Sequence, residues 1–181
     1  MLFADPTWRM RLGYHPPREP LPADTAAIKA LLDQSDPARA AVAALVAFYG
    51  LCTSQVCNLQ LVDVSAGWLH LDDRKIPLAP PVRERIATYL DHRTATWPNT
   101  ANPHLFINRR SAMETRNVGV RWIKLLLGPG VSCRSIREDR ILAEAMASRG
   151  DAKRLHDLFG LSINARLRYT NVVDHPGFDS A

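Results

Sequence analysis

The sequence predicts a mixed α+β domain, mainly helical, with a small antiparallel sheet. Three observations carry this. Most of the chain from Asp24 onward falls into segments with helical apolar spacing, bounded by capping acids or serines at one end and glycine at the other. One stretch, "WLHLDDRKIPLAP", alternates instead and turns at Asp72-Asp73. A hydrophobic content of 46% against 23% charged residues in 181 positions is enough to bury a core, which excludes a disordered tail.

The first two dozen residues hold five prolines and little periodicity, so residues 1–23 are expected to form an arm or linker, with Trp8, Arg9 and Arg11 as surface or nucleic-acid contacts. A domain is expected over 24–171 and a tail over 172–181. In "DTAAIKALLDQ", Asp24 is a cap and Ile28, Leu31 and Leu32 lie on one face. "DPARAAVAALVAFYG" starts with Asp36 as cap and Pro37 in the first turn, is apolar nearly all round and closes at Gly50, so it should be the buried central helix. Cys52 and Cys57 fall in one further helical stretch. After the hairpin, "PPVRERIATYLDHR" predicts an amphipathic helix from Pro80 or Pro81, and "HLFIN" from His104 a third strand. Four more helices are expected: "TRNVGVRWIKLLLG" from Thr115, "SIREDRILAEAMAS" from Ser135, "DAKRLHDLFG" from Asp151 and "SINARLRYTNVV" from Ser162. Gly128, Gly150 and Gly160 stand where helices should stop.

The charge balance, 23 Lys and Arg against 18 Asp and Glu, gives +5 and favours a polyanionic partner. Three cysteines without metal-ligand spacing point to buried free thiols in a reducing compartment. No apolar run approaches the roughly 18 residues that a membrane span needs, and the N-terminus lacks the apolar core of a signal peptide. These features predict a cytoplasmic protein that does not engage membrane. The six histidines show no ligand spacing with the cysteines, no glycine-rich phosphate loop is present, and no Ser-His-Asp set stands out. No metal or cofactor is expected.

Four segments in order resemble the catalytic domain of the tyrosine recombinase (phage integrase) family, from about Arg18 to Thr170. "FYGLCTSQVCNLQLVDV" resembles the first arginine box, "RKIPL" the strand after the catalytic-lysine turn, "RSIRED" the His-x-Leu-Arg box, and "FGLSINARLRYT" the closing Leu-Gly-His and tyrosine. The resemblance implies DNA integration and recombination on double-stranded DNA, with a homo-oligomer or a recombinase partner assembled there. In that chemistry a tyrosine attacks a phosphodiester to form a 3'-phosphotyrosyl link, arginines clamp the developing charge, and a lysine protonates the leaving oxygen. By this correspondence Tyr169 is the nucleophile, Arg137 the second arginine, Lys75 the general acid, and Arg134 stands in place of the box histidine. Arg74, Arg166 and Arg168 join Arg134 and Arg137 as DNA-binding candidates. The alternatives remain open: Tyr169 as a core aromatic, Arg137 as an ion pair with Glu138, and Arg74 and Lys75 as strand-edge charges.

The departures imply impaired strand cleavage. Cys52 replaces the first arginine and cannot clamp an oxyanion. Gln55 replaces the following acid, although Asp63 keeps a later one. Leu161 replaces the Leu-Gly-His histidine, and the interval to Tyr169 is one residue short. The remaining alternatives are a recombinase that still cleaves and rejoins DNA, and a protein-interaction scaffold. The family's separate DNA-clamping helical domain lies outside the resemblance, so the affinity expected is that of a domain neutralising few phosphates.

Overall fold

A computed structural model describes residues 25–72 and 74–173. The proline-rich arm, the Asp24 cap, Asp73 of the hairpin turn and His175 lie outside these residues. Eight α-helices and three strands are described, with two short 3-10 turns besides: α1 (Thr25–Leu32), α2 (Pro37–Tyr49), α3 (Thr53–Asn58), β1 (Val64–Ser65), β2 (Trp68–Leu71), β3 (Arg74–Pro77), α4 (Pro80–Thr96), α5 (Val120–Leu127), α6 (Cys133–Ala147), α7 (Ala152–Phe159) and α8 (Ile163–Val173).

Helix α2 is the axis of the fold, as its composition predicts. The Asp36 carboxylate accepts from the Ala38 and Arg39 amides, and the helix ends at Gly50 with φ 59° and its amide on the Val46 carbonyl. Small side chains let neighbours approach on every side, so Ala40 through Val46 are buried. Helices α1, α4, α5 and α6 pack around it, burying Tyr89, Phe106, Ile123 and Ile136 among others. A second apolar cluster joins α6, α7 and α8 through Ile141, Leu142, Ala145, Leu155, Phe159, Leu161 and Tyr169.

The sheet is antiparallel in the order β1-β2-β3. In the β2–β3 register Leu71 faces Arg74 and His70 faces Lys75. The side-chain alternation of a strand therefore puts Leu69, Leu71, Arg74 and Ile76 on one face and Trp68, His70, Lys75 and Pro77 on the other.

The "HLFIN" expectation needs correction. The third strand is Val64–Ser65, and His104 contributes only an isolated bridge to Gln60. Leu105, Phe106 and Ile107 are all fully buried, so the segment faces core on both sides rather than alternating. Its amides are taken elsewhere, Leu105 on the Leu59 carbonyl (2.7 Å) and Ile107 on the Tyr89 hydroxyl (3.0 Å). Helix α5 likewise starts at Val120, not Thr115. The preceding residues are held extended by long-range partners: the Arg116 carbonyl accepts from the buried Asn102 amide (2.8 Å), and Asn117 donates to Asn58 (2.5 Å). Helix α6 starts two residues before Ser135, at Cys133, because Ser132 caps it. Cys52 is the residue that precedes α3 rather than part of it.

Candidate functional site

A cleft of about 440 Å³ opens where four segments meet: Cys52 and Gln55 at the start of α3, Asp72 and Arg74 at the hairpin, Arg137 on α6, and His156, Asp157, Phe159 and Gly160 at the end of α7. Each wall follows from a local signal. The left-handed Gly50 turns the chain from α2 so that Cys52 enters the cleft. Ser132 starts α6 and places Arg137 one turn in. Gly160 ends α7 with φ 62° and exposes that helix's last carbonyls.

Arg137 is half-buried. Its Nη1 donates to the Gly50 carbonyl and its Nη2 to the Phe159 carbonyl (3.2 Å), joining the C-terminal ends of α2 and α7. Cations are favoured at helix C-termini, where the unpaired carbonyls concentrate partial negative charge. Burial pushes the Arg137 pKa below its ordinary value; nearby Cys52 and Tyr169 oppose this and Arg74 adds to it. The alternative ion pair with Glu138 is not formed, because Glu138 binds Arg134 (2.8 Å). Arg134 is 72% exposed at its side chain and does not line the cleft.

Arg74 reaches the cleft from the face of β3 shared with Leu71 and Ile76, and its Nη1 donates to the Leu158 carbonyl (2.7 Å). Lys75 points to the other face, with its ammonium 4.6 Å from the centre of the Trp68 ring. It does not line the cleft. Arg166 turns toward α7, donating to the Ala152 carbonyl (3.2 Å), and Arg168 is half-buried on α8.

Tyr169 sits on α8 as a core aromatic. It is only 4% exposed, within the α6–α7–α8 apolar cluster. Yet Arg137, Arg134, Arg168 and Glu138 all act on its phenol. Burial raises the phenol pKa above its ordinary value and Glu138 adds to the rise, while the three arginines oppose it. The phenol is therefore protonated near neutral pH. Tyr169 does not line the cleft.

Cys52 donates its amide to Gln55 (3.0 Å), and its thiol lies 3.0 Å from the Ser54 hydroxyl. Cys57 and Cys133 are buried free thiols. Burial pushes Cys57 up to about 11 and Cys133 upward as well, while Cys52, expected to be buried with them, is only partly buried. Asp63 folds back to accept from the Gln60 amide (2.8 Å). Among the described residues no group of three or more His, Cys, Asp or Glu is placed to hold a metal ion, and no helix is long and apolar enough to cross a membrane.

Sequence reasoning did not single out His156. It shares one face of α7 with Phe159 and Gly160, at i+3 and i+4, and that helical spacing was the available signal. Its Nδ1 lies 3.0 Å from the carbonyl of Leu161, the residue at the family's histidine position, whose own side chain is core.

No protein-family model and no curated protein sequence matches the chain. Solved structures do. The crystal structure of XerA recombinase superposes with a TM-score of 0.68 at 20% identity, covering 84% of this chain and 61% of XerA. XerH site-specific recombinase matches in its post-cleavage complex with palindromic difH substrate (TM-score 0.64, 14% identity, 90% and 53% covered). It also matches in its pre-cleavage complex with difH substrate (0.60, 16%, 90% and 52%). The chain thus spans between about half and three fifths of these recombinases. Its fold is that of the tyrosine recombinase/phage integrase catalytic domains, by structural similarity alone.

Proposed function

We propose that this domain binds double-stranded DNA in the manner of a tyrosine recombinase, within DNA integration or recombination, and that its strand-cleavage chemistry is impaired. One observation carries the reading: the cleft gathers two guanidiniums, Arg74 and Arg137, against a wall where Cys52 replaces the family's first arginine. Removing one preorganised donor to a developing anion typically costs about 100-fold to 1000-fold in rate. Tyr169 adds a second obstacle, since its phenol is buried and carries a raised pKa. For Lys75 to protonate a leaving oxygen it must leave the Trp68 ring and pass to the other face of the hairpin.

Arg134 on α6, with Arg166 and Arg168 on α8, would extend the basic surface for the DNA backbone. The XerH structures carry a difH substrate before and after cleavage. By analogy the DNA site here includes the Arg74–Arg137 cleft, and assembly as a homo-oligomer or with a partner recombinase follows from the same analogy.

The test has two arms. Duplex binding is followed across a salt series, and nicked suicide duplexes are incubated with the protein and its Tyr169→Phe variant, then resolved on a denaturing gel. Salt-sensitive binding without a protein–DNA adduct is the expected result. An adduct formed only when Tyr169 is present would show an active strand transferase and overturn the impairment. Absence of salt-sensitive binding would overturn the DNA reading and leave a protein-interaction scaffold.

A further inference from the structure

We propose that Arg74 supplies, from the hairpin, the guanidinium that Cys52 cannot, so that Arg74 and Arg137 together grip a single DNA phosphodiester. The proposal rests on the DNA-binding reading above and adds to it the residue that completes the grip.

The strand register is the first support. Arg74 lies across from Leu71 on the face shared with Leu69 and Ile76, whereas the neighbouring Lys75 is committed to the Trp68 face. A one-residue shift in register would exchange them. Second, consecutive carbonyls of α7 hold the two guanidiniums: Leu158 takes Arg74 and Phe159 takes Arg137, with Gly50 as a further acceptor for Arg137. Gly160 permits the approach, because a Cβ there would lie 3.3 Å from Cζ and Nη2 of Arg74. Third, among the described residues neither arginine makes an ion pair. Two cations facing one cleft repel each other, and an anion between them relieves that repulsion. Of the acids lining the cleft, Asp157 is paired with Lys153 (2.7 Å), and Asp72 is exposed at the hairpin turn.

The donor inventory fits the ligand. A guanidinium carries five N–H donors in a planar fork. Arg74 uses one on Leu158, and Arg137 uses two on Gly50 and Phe159. The rest suit the two nonbridging oxygens of a phosphodiester, for which forked donors are better matched than a lysine.

The experiment is fluorescence anisotropy on a labelled duplex over a salt series, with wild type, Arg74→Ala, Arg74→Lys, Arg137→Ala, the double alanine variant, and Arg74→Ala combined with Cys52→Arg. Thermal melting of each variant reports folding. Arg74→Ala should weaken binding roughly tenfold, as loss of a charged contact does, with Arg74→Lys intermediate. The double variant should lose much less than the product of the single losses, because both side chains hold one phosphate. Cys52→Arg should restore most of the affinity lost in Arg74→Ala. That rescue separates grip from scaffold, since an arginine at position 52 does not rebuild the Leu158 hydrogen bond. Unchanged affinity in a folded Arg74→Ala variant, beside weakened binding in Arg137→Ala, would overturn the grip and leave the DNA reading standing. Strictly multiplicative losses, or no rescue by Cys52→Arg, would also overturn it. A wild type with no salt-dependent binding would remove both.

Discussion

Glu144 offers a sharp test of how the site's framework is held. Its side chain is 9% exposed, and its two oxygens accept from Arg140 Nη2 (2.8 Å) on α6 and Arg154 Nε (2.5 Å) on α7. Arg140 also donates to the Phe48 carbonyl (3.2 Å), so the carboxylate links α6 and α7 to the end of α2, beside the cleft. Burial pushes the Glu144 pKa up, but the hydrogen bonds from Arg154 and Arg140 and their charges outweigh it, leaving the value below the ordinary 4.5. A carboxyl whose folded pKa is depressed stabilises the fold above its unfolded pKa, and that stability is lost as pH falls through the folded value. Charged hydrogen bonds contribute about 1.5–3 kcal/mol each when buried. Discounting the solvent-screened Arg154 side leaves about 2 kcal/mol for Glu144→Gln at neutral pH. For a domain of this size that is a Tm loss of about 4–8 °C. Melting curves of wild type and Glu144→Gln from pH 7 to pH 3 should show this gap at neutral pH and its narrowing as the pH falls below the ordinary carboxyl value of 4.5. A gap unchanged down to pH 3, or none at pH 7, would refute the role assigned to the carboxylate.

The other predictions concern neighbouring parts of the framework. Gly50→Ala places a Cβ 2.9 Å from Phe159 Cδ1 at φ 59°. It should cost roughly 2–4 kcal/mol from left-handed strain and overpacking, read as a lower midpoint in urea; wild-type stability would contradict the geometry. Asn102→Ala removes hydrogen bonds to the Ser111 and Arg116 carbonyls and from the His104 amide. A cost of about 3 kcal/mol is expected, with faster amide exchange across residues 104–117; protection equal to wild type would show that the loop is anchored elsewhere. Iodoacetamide at neutral pH should label Cys52 in the folded protein and spare Cys57 and Cys133, whose burial raises both pKa values. Peptide mapping that finds Cys57 labelled as fast as Cys52 would count against the packing of α3.

Where local chemistry decides structure, the sequence is readable. Asp36 with Pro37, and Asp151, start helices, and Gly50 and Gly160 end them, because caps satisfy orphan backbone groups within a few residues. The hairpin is readable because one face alternates with the other. "HLFIN" misleads for the opposite reason: with Leu105, Phe106 and Ile107 all buried, a strand-like composition carries no periodicity to distinguish it from packed loop. The late start of α5 depends on Asn102, fourteen residues before Arg116, and such a partner leaves no local trace. The site divides the same way. The order of the motifs singles out Arg137, which lines the cleft, and Tyr169, which does not, whereas the acceptors that fix Arg137 and Arg74 are backbone carbonyls and carry no residue identity. His156 is legible only once α7 is given a face.

Gripping a phosphodiester and cutting it make different physical demands. A grip needs fixed donors and uncompensated positive charge, and the α7 carbonyls fix Arg74 and Arg137 in that way. Cutting needs a phenol that reaches the phosphate and loses its proton, a donor for the leaving oxygen, and contacts that strengthen only in the transition state. Tyr169 would have to withdraw from Leu155, Phe159 and Leu161, giving up the burial that holds α8 on α6 and α7. The nearby acid, Glu138, is engaged by Arg134 and raises the phenol pKa by its charge. Arg137 couples the two demands, since the guanidinium proposed to hold phosphate also holds the Phe159 carbonyl, and Phe159 packs in the cluster that covers Tyr169. A change that frees Tyr169 by loosening α7 therefore also loosens the proposed grip. On the proposed reading, the buried Tyr169 and the carbonyl-held arginines suit this cleft to holding DNA rather than cutting it.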